Sequence, residues 1–212
     1  MVCRAVRNLS IQEEPSAALM NASIAEALFA AMTRHEKDAE VTECIACALV
    51  NLSCNSSQAT ILGANRCCSS AANALVYWVA ETQKDLDAHS VPSTVFSSSG
   101  SCGRKSDPVC VKYATLLQAL CWAIRNMSCA SSAYNLPILA NTPVCDAVLS
   151  ALRIFENRGD MANRVVAMHC LANLACHLEM SKTLLAGGGG SMAVSVLQGT
   201  GDALRTLTAM DP

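Results

Sequence analysis

A segment of ten residues, Leu120 to Cys129, occurs in four edited copies along the chain. The copies share a small residue, an aliphatic residue, any residue, an asparagine and a long aliphatic residue, and their asparagines are Asn8, Asn51, Asn126 and Asn173. The intervals between these asparagines are 43 residues (8 to 51), 75 residues (51 to 126) and 47 residues (126 to 173). Two of the three fall in the period of about 40 to 47 residues found in helical repeat arrays, and the middle interval requires an insertion.

The same order of segments follows each asparagine. A loop of polar or small residues comes first, then a short aliphatic segment that ends at Gly, Asn or Pro, then a further aliphatic segment with helical spacing. This order resembles the armadillo repeat, in which a long helix ends in small-Leu-x-Asn-Leu and precedes a short helix, a glycine turn and a second helix. The resemblance implies an all-α fold, a right-handed α-solenoid of about four armadillo-like repeats with the first and last incomplete.

We expect the whole chain, 1–212, to form a single armadillo-like repeat domain. Between 83 and 108 serine, glycine and proline replace the periodic apolar residues, which predicts a flexible insertion and leaves phosphorylation of its serines open. The incomplete ends favour a longer parent array. The repeats are predicted at 1–34, 39–82, 109–158 and 161–198, with a partial repeat at 199–212 in which Thr206 takes the place of the asparagine.

Composition and charge exclude several classes of partner. Hydrophobic residues make up 52% of the chain but aromatic residues only 4%, which favours a core of Ala, Leu, Val and Cys in which helices approach closely. The net charge of −2 gives no general attraction to nucleic acid, so no nucleic-acid partner is expected. The apolar runs are far shorter than the roughly 18 residues that cross a bilayer, so no membrane insertion is expected.

The thirteen cysteines are an odd number and lie inside apolar helical runs. This usage favours a reducing compartment, and we predict a cytoplasmic protein, with the nucleus and the cilium or flagellum as alternatives. Cys44 and Cys47 have a CxxC spacing, but close helix packing explains them better than zinc, and no metal or other cofactor is expected. Three further cysteines, each three residues past a repeated asparagine, are predicted to fill a packing slot: Cys54, Cys129 and Cys176.

The residue one turn before each asparagine shares its helical face. In armadillo proteins this face lines a concave groove, where the resemblance implies that the asparagine amide binds the backbone of an extended peptide and an aromatic side chain forms a pocket. Trp122 and Asn126 match the WxxxN pairing of importin-α, whereas the other copies carry Arg4, Cys47 and His169 at the aromatic position. Arginine and histidine on this face favour an acidic or neutral partner segment. The predicted groove residues are Asn8, Asn51, Trp122, Arg125, Asn126, His169 and Asn173.

The asparagines also have a purely structural interpretation. An asparagine near the end of a helix can satisfy main-chain groups locally, and this role uses the same amide as peptide binding. The sequence leaves both roles open.

No catalytic motif appears in the sequence. We find no GxSxG or HExxH motif, and the glycines of 187–190 lack the Lys-Ser/Thr that completes a phosphate-binding loop. We therefore expect a non-enzymatic scaffold that binds a protein segment along its groove. The alternative is a structural repeat segment of a larger complex, for example ciliary, axonemal or cytoskeletal, that contacts its neighbours through its ends.

Overall fold

The structure is a computed structural model that describes residues 2–89, 108–130 and 132–188. Within these ranges it contains eleven α-helices and no strand, which confirms the predicted all-α class. The helices are α1 (Val2–Leu9), α2 (Glu13–Asn21), α3 (Ile24–Arg34), α4 (Ala39–Leu52), α5 (Ser56–Ala64), α6 (Cys67–His89), α7 (Pro108–Ala130), α8 (Ser132–Ala140), α9 (Val144–Asn157), α10 (Met161–Leu174) and α11 (Leu178–Ala186).

Side-chain caps fix where several helices begin. The Asp38 carboxylate accepts from the main-chain N–H of Val41 at 3.1 Å and begins α4. Asp160 accepts from the N–H of Asn163 at 3.2 Å at the equivalent place in α10. Each cap satisfies a main-chain donor that has no partner inside its helix. The caps explain why α4 and α10 start in corresponding places before their asparagines.

The long helices that carry the repeated asparagines lie side by side. Helix α1 contacts α4, α4 contacts α7, and α7 contacts α10. The helices α3, α6 and α9 contact one another in the same order, and the short helix α5 contacts α8. Each helix from α3 to α11 contributes buried apolar residues to one continuous cluster, so these helices share a single interior.

Small residues allow the helices in this interior to approach closely. Ala46, Ala71 and Ala123 are fully buried, and Gly63 on α5 lies against the Asn135 side chain of α8. The Asn135 amide donates to the main-chain oxygen of Met127 at 2.8 Å. This buried asparagine therefore joins the short helix α8 to the long helix α7.

Helix α6 is longer than its predicted repeat, which ended at 82. It continues to His89, so the start of the predicted insertion at 83–108 is helical. Half-buried Leu86 packs against the core, and Gln83 donates to Asp87 at 2.8 Å, which stabilises the extra turns. Residues 90–107 lie outside the described residues, and so do the serines considered for phosphorylation.

Two other boundaries differ from the sequence prediction or fall outside the description. Helix α2 begins at Glu13, inside 12–15, the segment that the polar residues after Asn8 predict as a loop. Pro15 is tolerated in the first turn of α2 because that position needs no main-chain donor. The end of the predicted fourth repeat, 189–198, and the partial repeat 199–212 with Thr206 lie outside the described residues.

None of the described helices is by itself long and apolar enough to cross a membrane. Two sharply bent pairs pass that test by length and composition alone, namely Glu13–Asn21 with Ile24–Arg34 and Tyr134–Ala140 with Val144–Asn157.

Candidate protein-binding groove

The repeated asparagines form a continuous row across α4, α7 and α10. Each one donates through its side-chain nitrogen to the main-chain oxygen of the residue directly before the asparagine of the preceding long helix. The three bonds are Asn51 Nδ2 to Arg7 O at 3.3 Å, Asn126 Nδ2 to Val50 O at 3.2 Å, and Asn173 Nδ2 to Arg125 O at 3.0 Å.

These bonds join neighbouring long helices. This role differs from both interpretations of the sequence, which were binding of a peptide and local closure of the asparagine's own helix. The acceptor is not in the asparagine's own helix, so the amide does not close that helix locally. Its N–H groups are used between long helices, and Asn51 also donates to the Ser10 hydroxyl at 3.0 Å. Among the described residues the side-chain oxygens of Asn51 and Asn173 have no intramolecular partner, whereas that of Asn126 accepts from Arg125.

An open cavity of about 310 Å³ lies between α1, α4 and α7, beside the asparagine row. It contains no acidic side chain in its lining, and apolar atoms make up most of its surface. We call this cavity the groove. Its lining includes Arg7, Cys47, Asn51, Thr115, Gln118 and Trp122.

Trp122 and Arg125 form a stacked pair at the edge of the groove. The guanidinium carbon of Arg125 lies 4.7 Å from the centre of the Trp122 ring, which is the distance of a cation–π contact. Arg125 also donates from its NH1 nitrogen to the side-chain oxygen of Asn126 at 3.1 Å. The pair holds the half-buried indole in place and brings a positive charge next to the groove.

The predicted residues divide between the groove and its surroundings. Asn51 and Trp122 line the groove. Arg125 stacks on Trp122 and donates to Asn126, so these two residues adjoin the groove without lining it. The remaining three predicted residues do not line the groove. Asn8 and His169 are exposed, and Asn173 is half-buried.

Sequence reasoning missed part of the lining on α7. Thr115 and Gln118 lie seven and four residues before Trp122, so helical spacing puts all three on one face. That spacing was available in the sequence. Ile11, just after α1, was not predictable in this way because its place in the groove depends on how the chain leaves α1.

A larger cavity, of about 840 Å³, lies elsewhere among the described residues. The charged turn 33–40 forms most of its wall, together with Trp78 and Tyr113. Two of its acidic groups have structural partners, since Asp38 caps α4 and Glu40 bonds Arg4 at 2.6 Å. We therefore place the candidate site in the smaller groove, where the repeated residues meet.

The described cysteines differ in exposure in a way that the sequence did not predict. Cys67, Cys121 and Cys170 are fully buried, and burial raises the pKa of the Cys121 thiol to about 12. The three cysteines predicted to fill a packing slot are instead exposed, because each lies where its long helix ends: Cys54, Cys129 and Cys176.

The CxxC pair shows no metal-binding arrangement. Cys44 is buried and Cys47 is half-buried in the groove lining, where burial raises the pKa of the Cys47 thiol. In the part of the chain that the structure describes, no three His, Cys, Asp or Glu side chains are grouped closely enough to hold a metal ion.

Comparison with family models, curated proteins and solved structures gives no match to this chain.

Proposed function

We propose that this chain is a right-handed α-solenoid of about four armadillo-like repeats that acts as a non-catalytic scaffold for protein–protein interaction. The side-by-side order of α1, α4, α7 and α10 supports the repeat arrangement. The equivalent hydrogen bond made by three successive asparagines supports it further, because equivalent bonds require equivalent helix placement.

The observation that carries the binding proposal is the open groove that Asn51 and Trp122 line together. An indole beside small apolar residues offers an anchoring surface for one side chain of an extended segment. The Asn51 side-chain oxygen can accept one main-chain N–H of that segment. The groove therefore suits a short extended peptide with an apolar anchor residue.

The charges around the groove define the partner further. Arg7 lines the groove and Arg125 stacks on Trp122, whereas Arg4 is paired with Glu40 at 2.6 Å and contributes little net charge. Arg7 in the lining and Arg125 beside it, together with the absence of an acidic residue from the lining, favour an acidic or neutral segment over a lysine-rich one.

The test compares peptide binding by matched variants. Peptides selected from a random library on the full chain should bind the Trp122→Ala variant about tenfold more weakly or worse, as expected for loss of an aromatic anchor. The Thr115→Arg variant should also lose binding, because it fills the groove from an exposed position without disturbing the interior. The control is Tyr134→Ala, which removes an exposed aromatic residue on α8 outside the groove. Equal affinity for all four proteins would reject the groove as the binding site.

A second candidate is a structural segment that contacts its neighbours through its ends. Exposed aliphatic side chains at both ends of the helix order favour it, namely Val2 and Leu9 on α1 and Leu185 on α11.

A further inference from the structure

The Arg125 side chain, at the edge of the groove, covers two groups. Its guanidinium stacks on one face of the Trp122 indole, with the guanidinium carbon 4.7 Å from the ring centre. The same guanidinium donates to the side-chain oxygen of Asn126 at 3.1 Å. Among the described residues, the equivalent oxygens of Asn51 and Asn173 have no such partner. One arginine therefore occupies both an aromatic face and an asparagine oxygen in the middle of the row.

The position of Arg125 is fixed by contacts to its main chain and to its side chain. Asn173 of α10 donates to its main-chain oxygen at 3.0 Å. The ring of Trp122 and the oxygen of Asn126 hold its guanidinium. Arg125 is also half-buried, which limits the space in which its long side chain moves. A guanidinium held in this way loses little conformational freedom when it binds a ligand.

The positive charge of Arg125 has no carboxylate partner among the described residues. Arg7, which lines the groove, also has none, whereas Arg4 is paired with Glu40 at 2.6 Å. A guanidinium carries several N–H donors, so Arg125 keeps donors for a ligand after its bond to the neighbouring asparagine. The groove therefore has one unpaired positive charge in its lining and one at its edge. A carboxylate is the group that complements them.

The stacked guanidinium also decides which side chains can use the indole. The face of a tryptophan ring attracts ammonium and guanidinium groups. Arg125 occupies one face of Trp122, so a lysine or arginine of a partner cannot stack there. A cation on the opposite face would lie across a single ring from a like charge, and like charges in a partly buried site repel each other. The stacked pair therefore excludes cationic side chains and leaves the indole to apolar ones.

We propose that Arg125 is the specificity-determining residue of the groove, where it binds a carboxylate beside the apolar anchor of the partner and excludes lysine and arginine from Trp122. The proposal rests on the groove as the binding site. It selects an acidic segment over a neutral one and assigns this selection to a single side chain. At the same place in the repeated motif, α4 and α10 carry the uncharged residues Val50 and Ala172. Arg7 has this place in α1, but the residue one turn before its asparagine is not aromatic.

The experiment measures the affinity of full-chain variants for matched synthetic peptides. The peptides share a central phenylalanine as the anchor and differ only in the residues beside it, which are glutamate, glutamine or lysine. Fluorescence anisotropy of the labelled peptides gives each affinity, and the readout is the ratio of the affinities for the glutamate and lysine peptides. Partial unfolding of a variant lowers both affinities together, so this ratio does not respond to a loss of stability. Wild type should bind the glutamate peptide most tightly and the lysine peptide about tenfold more weakly or worse.

Two substitutions of Arg125 separate its charge from its cover of the ring. Arg125→Met removes the charge but keeps an unbranched side chain that can lie on Trp122. Its binding of the glutamate peptide should weaken, and the lysine peptide should still bind poorly. Arg125→Ala removes both the charge and the cover, so the lysine peptide should gain about tenfold through the uncovered ring face. The ratio of affinities should therefore fall further in Arg125→Ala than in Arg125→Met.

Two other arginines supply the controls. Arg7→Ala removes one positive charge from the lining and leaves the Trp122 ring covered, so glutamate binding should weaken and the ratio should fall less than in Arg125→Ala. Arg34→Ala removes an exposed arginine of the turn 33–40, outside the groove lining, and should keep the wild-type affinities.

Several results would overturn the proposal. These are a wild type that prefers the glutamine or lysine peptide, an unchanged ratio in Arg125→Ala, and an equal fall of the ratio in Arg125→Ala and Arg7→Ala. Trp122→Ala tests the groove itself, because it should weaken binding of all three peptides. If Trp122→Ala binds like wild type, or wild type binds none of the peptides, the groove and the role of Arg125 fail together. If Trp122→Ala loses binding while Arg125→Ala keeps the wild-type ratio, only the role of Arg125 fails.

Discussion

The side-chain amide of Asn126 donates to the main-chain oxygen of Val50, a residue 76 positions earlier in the chain, at 3.2 Å. The two residues belong to neighbouring long helices, and Asn126 is only 8% exposed. The bond therefore joins α7 to α4 across the whole length of the intervening sequence. This asparagine therefore has a structural role, because it holds two neighbouring long helices together.

Replacing Asn126 with alanine should lower the free energy of unfolding by about 1 to 2 kcal/mol, because a buried hydrogen bond between helices is lost. Asn8 occupies the same place in the sequence motif but is exposed, so Asn8→Ala should change stability by no more than about 0.5 kcal/mol. Urea unfolding followed by circular dichroism at low protein concentration measures both. Equal effects of the two variants would show that the bond contributes nothing.

Gly63 is predicted to tolerate no side chain. A Cβ atom there would overlap the side-chain oxygen Oδ1 of Asn135 and lie 2.7 Å from its Cγ. In most helix interiors Gly→Ala stabilises by about 0.5 to 1 kcal/mol, but here overpacking should reverse the sign and cost about 1 to 3 kcal/mol.

A double-mutant cycle tests the cause of this cost. In the Asn135→Ala background the added methyl group has room, so Gly63→Ala should cost at least about 1 kcal/mol less than it does in wild type. Thermal or urea unfolding of the four proteins gives the interaction energy. Simple additivity would mean that contact with Asn135 is not the reason for the glycine.

The sequence predicts the helices well but not the contacts between them. The predicted second and fourth repeats start at 39 and 161, and α4 and α10 begin at those residues, because helical spacing and caps are local signals. The acceptor of each asparagine depends on the distance between two helices that are far apart in sequence. No local pattern contains that distance, which is why the row of hydrogen bonds was not foreseen.

The same reasoning applies to the cysteines. The spacing of three residues after each asparagine was visible in the sequence, but exposure depends on where the long helix ends and what covers it. Cys54 lies in the turn after α4 and is exposed, so a regular spacing indicated a repeated position and not a buried one.

Thiol reactivity should separate the buried cysteines from the exposed ones. At neutral pH the exposed thiols should react with iodoacetamide in the folded protein. A pKa of about 12 leaves Cys121 with roughly a thousandfold less thiolate than the ordinary 9.0, and burial also blocks the reagent. Peptide mass spectrometry after timed labelling identifies the modified residues. The thiols expected to react first are those of Cys54, Cys129 and Cys176. Rapid labelling of Cys121 in the folded protein would contradict its burial in the core.

The buried thiols should also make the protein less stable at alkaline pH. Burial raises the pKa of Cys121 from 9.0 to about 12. The pKa of Cys67 also rises to about 12, mainly because of burial and to a smaller extent because of repulsion from Cys68. The folded state therefore keeps these protons at a pH where the unfolded chain releases them. Stability is complete below pH 9 and should fall as the pH rises from 9 towards 12.

The slope of this decline identifies the residue responsible. Each buried thiol contributes up to about 1.4 kcal/mol per pH unit in this window, so Cys121→Ala should flatten the decline by about that amount. The variant also leaves a cavity that lowers stability at every pH, and for this reason the slopes are compared and not the absolute values. Cys129→Ala, which removes an exposed thiol, should leave the slope unchanged. Urea unfolding at several pH values above 9 supplies the slopes, and identical slopes for both variants would mean that Cys121 ionises equally in the folded and unfolded states.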